Sequence, residues 1–175
     1  DPFNPHLTPT GYGSFNNYVY MPAAPRPAWE TGHADLSVGR VVEVELTARM
    51  FTECRSTVRL YQPPAPGPYP LLVVFDGCEY AERARLPTIL DNLLHAGHIP
   101  PLAAALVDNH PQARIPEYAC SEATLTFLVN DLLPWVGHHL FLDPQPGAHG
   151  VVGSSMGGLM ATYVGLRRPD VFGHV

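Results

Sequence analysis

The sequence of 175 residues contains no lysine, only three cysteines and a low share of charged residues, 15%. Its ten basic side chains are outnumbered by 16 acidic ones, and the formal net charge of −6 argues against a nucleic-acid partner, since phosphate backbones repel an acidic protein. Cys54, Cys78 and Cys120 are odd in number and widely spaced, with no CxxC pair. They favour a reducing, cytoplasmic compartment over a disulfide framework and give no support to a structural zinc site. We expect no metal and no cofactor.

A continuous apolar stretch long enough to cross a membrane is also lacking. The longest uncharged run, residues 144–166, contains six glycines, two prolines and two adjacent serines, whereas a span needs about 20 predominantly apolar residues. The sequence begins at Asp1 without a charged-then-apolar leader, and it ends at Val175 within a strand-like pattern. We therefore predict no membrane association and expect the chain to be a fragment of a longer protein.

Apolar residues make up 46% of the sequence, which is enough for a hydrophobic core. Residues 1–35 hold six prolines. Because proline fixes φ and lacks an amide donor, this stretch predicts an extended arm or linker without a regular ladder or helix. Tyr18, Tyr20 and Trp29 are candidate anchors that would hold the arm on the globular part, which is predicted to be residues 36–175.

Strand and helix patterns alternate from Arg40 to the end of the sequence. Alternating side chains after Arg40 and in residues 56–61 predict two antiparallel strands. Two apolar runs that end in turns, residues 71–75 and 102–107, predict strands buried in a parallel sheet, and residues 147–153 carry a third strand at Val151-Val152. The predicted helices are residues 86–95, a long helix capped by Ser121 and kinked at Pro134, and residues 156–167. This order predicts an α/β fold, with helices on both faces of a mostly parallel sheet.

The segment Gly153-Ser154-Ser155-Met156-Gly157 fits the pattern G-x-S-x-G, between an apolar strand and a predicted helix. A serine hydroxyl is a poor nucleophile and must project toward a base and a substrate, which a sharp strand-to-helix turn achieves. Such a turn brings the residues two before and two after the serine against neighbouring chain, so both are glycine. The turn also directs the Met156 amide and the positive end of the helix toward an oxyanion. Ser155 is the predicted nucleophile; the alternative is a glycine-rich turn that only packs a helix on a sheet.

An acyl-transfer site needs a second oxyanion donor, usually an amide at the end of a neighbouring strand. The amide of Cys78 or Gly77, just after the apolar run 71–75, is the candidate, although Asp76-Gly77 by itself indicates only a turn. The Cys78 thiol is a weaker candidate nucleophile, because nothing near it in sequence would lower its pKa.

The general base is not identified from spacing. In α/β-hydrolases the triad order is serine, acid, histidine. After Ser155 only Asp170 and His174 remain, and both precede any further strand. The chain is therefore expected to hold a nucleophile and an oxyanion hole without their base.

From about Arg40 to its end, the sequence resembles the esterase D-like branch of the α/β-hydrolases, and within it the enterochelin (siderophore) esterases. The matching segments follow the family's order and spacing. They are residues 71–77, 90–93, 99–101, 107–108, 114–118, 131–134, 153–159 and 168–173. Residues 2–6 and 19–25 resemble the linker that precedes the catalytic domain in such enzymes. The resemblance implies an α/β-hydrolase fold, with residues 36–175 as the N-terminal portion of the catalytic domain.

The resemblance also implies roles for individual residues. Ser155 is the implied nucleophile, and the amides of Met156 and Cys78 are the implied oxyanion hole. Arg114 is implied to face the substrate, where a guanidinium suits catecholate or carboxylate oxygens. From the residues alone, Arg114 could equally pair with Glu117 as a surface ion pair. The family's acidic triad member and histidine lie beyond the position at which this chain ends.

The implied function is hydrolysis of the ester bonds of a ferric catecholate siderophore such as enterobactin, through an acyl-enzyme on Ser155. Two alternatives stay open. One is another carboxylesterase of the same branch, acting on feruloyl or general esters, and the other is a hydrolase-like module that binds a ligand without catalysis. The expected partner is a small-molecule ester substrate, with no nucleic acid and no membrane.

Overall fold

The computed structural model describes residues 2–9, 14–23, 29, 31–32, 36–47, 55–110 and 112–175. The strands are β1 (Leu7–Pro9), β2 (Phe15–Asn17), β3 (Arg40–Thr47), β4 (Arg55–Gln62), β5 (Leu71–Phe75), β6 (Ala103–Val107), β7 (His149–Val152) and β8 (Phe172–His174). The helices are α1 (Gly77–Glu82), α2 (Leu86–His95), α3 (Arg114–Tyr118), α4 (Glu122–Phe127), α5 (Leu133–His139) and α6 (Met156–Arg167). A π-helical segment, Leu128–Leu132, joins α4 to α5.

Strands β3 to β8 form one six-stranded sheet in the order β3-β4-β6-β5-β7-β8. β3, β4 and β6 pair antiparallel, whereas β6, β5, β7 and β8 are parallel neighbours. All of β6 is buried, and β5 is buried except at Leu72, as strands covered on both faces require. The predicted α/β architecture, a mostly parallel sheet that begins with antiparallel strands, is confirmed.

Alternate side chains of β5 serve two hydrophobic clusters, one on each face of the sheet. Leu71, Val73 and Phe75 belong to the larger cluster, which includes side chains of α4, the π-helical segment, α5 and α6. Leu72 and Val74 belong to the smaller cluster, to which α1 and α2 contribute. Helices therefore cover both faces of the sheet.

Two predicted helices have the predicted bounds, α2 (Leu86–His95) and α6 (Met156–Arg167). The Ser121 hydroxyl accepts the Thr124 amide at 3.3 Å and so caps α4, as predicted. The irregularity expected at Pro134 takes the form of the π-helical segment just before it, since proline lacks the N–H that would close an α-helical turn. No helix within the described ranges combines the length and apolarity that crossing a bilayer requires.

The described part of the N-terminal arm contains a short ladder, contrary to the prediction that the arm forms none. β1 and β2 pair antiparallel, with Thr8 opposite Asn16 and Pro9 opposite Phe15. The prediction was wrong because Pro9 stands at the end of a two-stranded pair, where its missing N–H removes no central hydrogen bond.

The aromatic residues of the arm differ in what they contact. Trp29 packs edge-on against the ring of His98, with centroids 5.2 Å apart, and its carbonyl oxygen accepts Nδ2 of Asn92 at 2.6 Å. Tyr18 and Tyr20 instead pack edge-to-face on each other and are exposed. These contacts tie Trp29, one of the three expected anchors, to the globular part.

Candidate active site

Two turns lie side by side at the carboxyl edge of the parallel sheet. β5 and β7 pair in parallel, so the turns that follow Phe75 and Val152 leave the sheet at the same edge. In open α/β sheets, ligands bind in the crevice at this edge. The predicted site residues lie on these turns, at the start of the helices that follow them, or on α3.

Ser155 stands at the tip of the turn after β7, immediately before α6. Its φ of 55° and ψ of −119° form a conformation that non-glycine residues rarely adopt. The residue is exposed, and its side chain makes no capping hydrogen bond to α6. Met156, the first residue of α6, carries one of the amides that a helix leaves without an intrahelical partner. The turn thus presents an accessible hydroxyl next to a helix N-terminus.

The two glycines of the motif, Gly153 and Gly157, are required for different steric reasons. A Cβ on Gly153 would lie 2.4 Å from the carbonyl carbon of Gly157, so any side chain there would push β7 and α6 apart. A Cβ on Gly157 would lie 3.1 Å from Oδ2 of Asp76 and 3.3 Å from Cβ of Phe75, on the neighbouring strand. Glycine at position 157 therefore lets the two turns approach each other.

The turn after β5 also places a non-glycine residue at positive φ. Asp76 has φ 56° and ψ 47°. Its amide donates to the Tyr118 hydroxyl at 3.0 Å, and its carboxylate accepts Nε and Nη2 of Arg114 at 3.0 and 2.9 Å. Glu117, the alternative partner considered for Arg114, is buried and accepts the His110 amide at 3.0 Å. The Arg114 guanidinium is thus bound in a fork to a carboxylate of its own chain.

The amide of Cys78, the predicted second oxyanion donor, is engaged with a carboxylate. It donates to Oδ1 of Asp108, which directly follows β6, and Asp108 also accepts Nη1 of Arg59, 2.9 Å from Oδ2. Burial raises the pKa of the Asp108 carboxyl, while the hydrogen bond from Arg59 lowers it. An oxyanion role for this amide therefore requires that its bond to Asp108 be exchanged.

Two further features of this loop are the buried Gly77 and the Cys78 thiol. Gly77 is buried against β6, where a Cβ would lie 2.5 Å from the carbonyl carbon of Leu106. Burial raises the pKa of the Cys78 thiol, which argues against a thiolate nucleophile.

A cleft of about 530 Å³ opens over the two turns. Its lining residues are Ser154, Ser155, Asp76, Arg114, Glu79, Arg83, Ser14 and Asn16. The structure thus brings Ser155 and Arg114 to one cleft. Glu79 and Arg83, on α1, were not predicted as site residues: their i,i+4 spacing indicates a helical ion pair and nothing about a cleft. Ser14 and Asn16 belong to the arm, and no motif marks them.

Among the described residues, no histidine or carboxylate is hydrogen-bonded to the Ser155 hydroxyl. Contrary to the expectation that it precedes any further strand, His174 lies in β8, opposite Gly150 near the start of β7. Asp170 is bound by Arg168 through Nε and Nη2. Within the same ranges, no three His, Cys, Asp or Glu side chains are grouped so that they could hold a metal ion.

Residues 49–175 match the family model described as "Putative esterase". The iron(III) enterobactin esterase of Dickeya dadantii is 34% identical over 111 residues, which are 63% of this chain and 26% of that protein. The iron(III) enterobactin esterase of Escherichia coli O6:H1 is 28% identical over an alignment that covers 100% of this chain and 44% of that protein.

A solved structure shows the same fold. The enterobactin esterase of Shigella flexneri, crystallised in the presence of enterobactin, matches 98% of this chain with a TM-score of 0.84 and 26% identity, and 45% of that chain is covered. The predicted α/β-hydrolase fold is thereby confirmed. The chain spans less than half the length of each of these relatives.

Proposed function

We propose a function from the premise that this chain belongs to the esterase family, whose model matches residues 49–175. In this proposal it is the nucleophile-bearing part of a serine ester hydrolase of the siderophore-esterase type, which cleaves ester bonds of a ferric catecholate siderophore. The observation that carries the proposal is the strained, exposed Ser155 at a cleft shared with Arg114. A cytoplasmic location belongs to the same proposal.

The proposed reaction has two steps. The Ser155 hydroxyl oxygen attacks the ester carbonyl carbon and its proton passes to a histidine, which returns a proton to the departing alcohol and leaves an acyl group on Ser155. Water, which gives a proton to the same histidine, then attacks the acyl carbon. The bond from that carbon to the serine oxygen breaks, the histidine returns the proton to Ser155, and the carboxylic acid leaves. The described residues offer no base to Ser155, so in this proposal the histidine and its acidic partner lie outside them.

Backbone amides stabilise the oxyanion in both steps. The Met156 amide is the first donor, because it opens α6 directly after the nucleophile and shares the positive end of that helix. The Cys78 amide serves as the second donor when the substrate oxygen replaces the Asp108 carboxylate as its acceptor. The Gly77 amide is the alternative on the same loop.

The substrate class is supported by the relatives and by the cleft. The relatives are enterobactin esterases, and one was crystallised with enterobactin. Arg114 borders the cleft, where the Asp76 fork fixes its position. A guanidinium suits the oxygens of a catecholate or a carboxylate.

A fluorophosphonate probe tests the nucleophile in the full protein, because it labels an activated serine covalently. We expect the wild type to be labelled, and we expect Ser155→Ala to lose both the label and ester hydrolysis, with kcat reduced about 10⁴-fold or more. Ser37→Ala, which removes an exposed serine away from the cleft, is the control that should retain the label.

The substrate is tested separately by comparing a catecholate trilactone with simple aryl and feruloyl esters. The proposal expects the higher kcat/KM for the trilactone. A labelled Ser155 together with a preference for the other esters would retain the esterase and reject the siderophore. Unimpaired function of Ser155→Ala would reject catalysis and favour a binding module.

A further inference from the structure

The face of the β1–β2 hairpin that borders the cleft is polar. Thr8 and Asn16 are opposite each other in the ladder, so they share one face of the hairpin, and Ser14 lies immediately before β2. Ser14 and Asn16 line the Ser155 cleft, and Thr8 lines an adjoining cleft of about 360 Å³. One face of the hairpin thus forms a wall along both clefts.

The opposite face of the hairpin carries Leu7 and Phe15, with Asn17 opposite Leu7 in the ladder. Leu7 and Phe15 are 54% and 64% exposed. Burial of apolar surface alone would turn these side chains toward the protein and leave hydroxyls and amides in water. Ser14 and Asn16 are exposed as well, and the face that borders the cleft is the polar one, so hydrophobic packing does not explain the orientation of the hairpin.

Hydrogen bonds within the arm hold the hairpin in shape. Nδ2 of Asn4 donates to the carbonyl oxygen of Tyr18 at 3.0 Å, and Nδ2 of Asn17 donates to the carbonyl oxygen of Asn4 at 3.2 Å. The Tyr18 amide donates to the carbonyl oxygen of His6 at 3.3 Å. A wall that is already ordered binds a ligand at a lower entropic cost.

Helix α1 contributes charged side chains to both clefts. Glu79 and Arg83 line each of them, and Nη1 of Arg83 donates to Oε2 of Glu79 at 2.8 Å. These side chains are 38% and 33% exposed, so the ion pair is weak and a ligand can replace one partner. Hydroxyl, amide and guanidinium donors therefore border a space that begins at Ser155.

We propose that Thr8, Ser14, Asn16 and Arg83 bind the acyl part of the ester that Ser155 attacks, and that they select acyl groups rich in oxygen acceptors. The inference rests on the proposed function, in which Ser155 is the nucleophile. Donors of these kinds match amide, phenol and carboxylate oxygens. A plain hydrocarbon acyl group would desolvate them without giving them partners, which disfavours its binding.

Hydrolysis of two aryl esters by the full protein tests the inference. Both carry the same leaving group; one has an acetyl group and the other a 2,3-dihydroxybenzoylglycyl group. We expect the triple variant Thr8→Val/Ser14→Ala/Asn16→Ala to lower the ratio of the two kcat/KM values about tenfold, mainly through KM for the oxygen-rich ester. Phe15→Ser, on the opposite face of the same strand, is the matched control and should leave the ratio unchanged.

Fluorophosphonate labelling of the same proteins separates two failures. A wild type that is not labelled at Ser155 would overturn the proposed function and this inference with it. If Ser155 is labelled in every variant but the ratio is unchanged in the triple variant, or falls equally in Phe15→Ser, the hairpin does not select the acyl group. That outcome overturns the inference and leaves the proposed function intact.

Discussion

At the carboxyl edge of the sheet, the turns after β5 and β7 each place a non-glycine residue at positive φ, Asp76 at 56° and Ser155 at 55°. Such conformations cost about 1–3 kcal/mol and persist only where the surroundings hold them. At Asp76 the carboxylate is held by Arg114 and the amide by Tyr118. At Ser155 the side chain is exposed, and backbone hydrogen bonds hold the turn, among them the Gly157 amide to the Ser154 carbonyl oxygen at 2.9 Å.

Because the Asp76 side chain is bound and the Ser155 side chain is exposed, the two turns have different roles. The β5 turn uses its strained residue for support, because both polar ends of Asp76 are taken up by α3. The β7 turn leaves its hydroxyl accessible, which suits a nucleophile. The turns meet at Gly157, where the Asp76 carboxylate comes within 3.1 Å of the place that a Cβ would occupy.

The largest effect is expected from Gly153→Ala, which breaks the β7 turn. Its Cβ would lie 2.4 Å from the backbone of Gly157, so the free energy of unfolding should fall by about 3 kcal/mol, the upper range for overpacking. Labelling of Ser155 should be lost as well. Denaturant unfolding and fluorophosphonate labelling measure the two effects.

Two further glycines sharpen this test. Gly77→Ala breaks the β5 turn against Leu106 and should also destabilise the protein. Gly137→Ala, in α5, has no neighbouring atom within 4 Å of the added Cβ and should stabilise the helix by about 0.5–1 kcal/mol. If Gly153→Ala unfolds like the wild type and is labelled like it, the turn at Ser155 does not depend on the close contact between Gly153 and Gly157.

An intermediate effect is expected when the support of the β5 turn is removed. Asp76→Asn keeps a residue that tolerates positive φ, and Arg114→Gln removes the fork, so a double-mutant cycle isolates the ion pair. Because these side chains are only 13% and 22% exposed, we expect a coupling of about 1–3 kcal/mol in the free energy of unfolding.

The matched control for this cycle is the pair of Arg168 and Asp170. It has the same two-pronged geometry, with distances of 2.9 and 2.8 Å, but its side chains are 35% and 60% exposed. We expect a clearly smaller coupling there, because water screens exposed pairs. Equal coupling energies in the two cycles would mean that partial burial does not strengthen the ion pair of Asp76 and Arg114.

The smallest effect is expected at the other end of β7, away from both turns. Nδ1 of His149 accepts the Leu71 amide at 3.2 Å, which requires a neutral ring, and burial lowers the pKa of this histidine from its ordinary value of 6.5. A base whose pKa is lowered in the folded state contributes stability above its unfolded pKa and loses it as the pH falls. The free energy of unfolding should therefore decrease below about pH 6.5.

His149→Asn tests the assignment, because its Oδ1 can accept the same amide without titrating. Urea unfolding at about pH 7.5 and about pH 5.5 should show a smaller loss of stability in this variant than in the wild type. An identical loss in both proteins would place the titrating group elsewhere.

The two turns differ in how fully the sequence predicts them. The β7 turn was predicted residue by residue, because glycine on each side of a projecting serine is a steric requirement within five positions. The β5 turn was predicted only as an Asp-Gly turn. Its partner Arg114 lies 38 residues away, and the Asp108 carboxylate that engages the Cys78 amide lies 30 residues from it. No local pattern indicates which carboxylate meets which donor.

The structure of the N-terminal arm was also predicted only in part from the sequence. Its proline content correctly indicated little regular structure, but Pro9 is compatible with the edge of a short ladder. Ser14 and Asn16 border the cleft of Ser155, and Thr8 borders the adjoining cleft, because of where the arm lies relative to α1. No periodicity in the sequence indicates that placement.

The sequence by itself determined the order of strands and helices, the buried parallel strands and the turn that carries Ser155, because hydrophobic periodicity and steric fit are properties of a few adjacent residues. The tertiary structure decided which groups lie near that serine. Arg114 is hydrogen-bonded to Asp76, the Cys78 amide donates to Asp108, and a polar hairpin lines the cleft. These contacts join residues far apart in the chain, so they are fixed only when the strands have paired and the helices have packed.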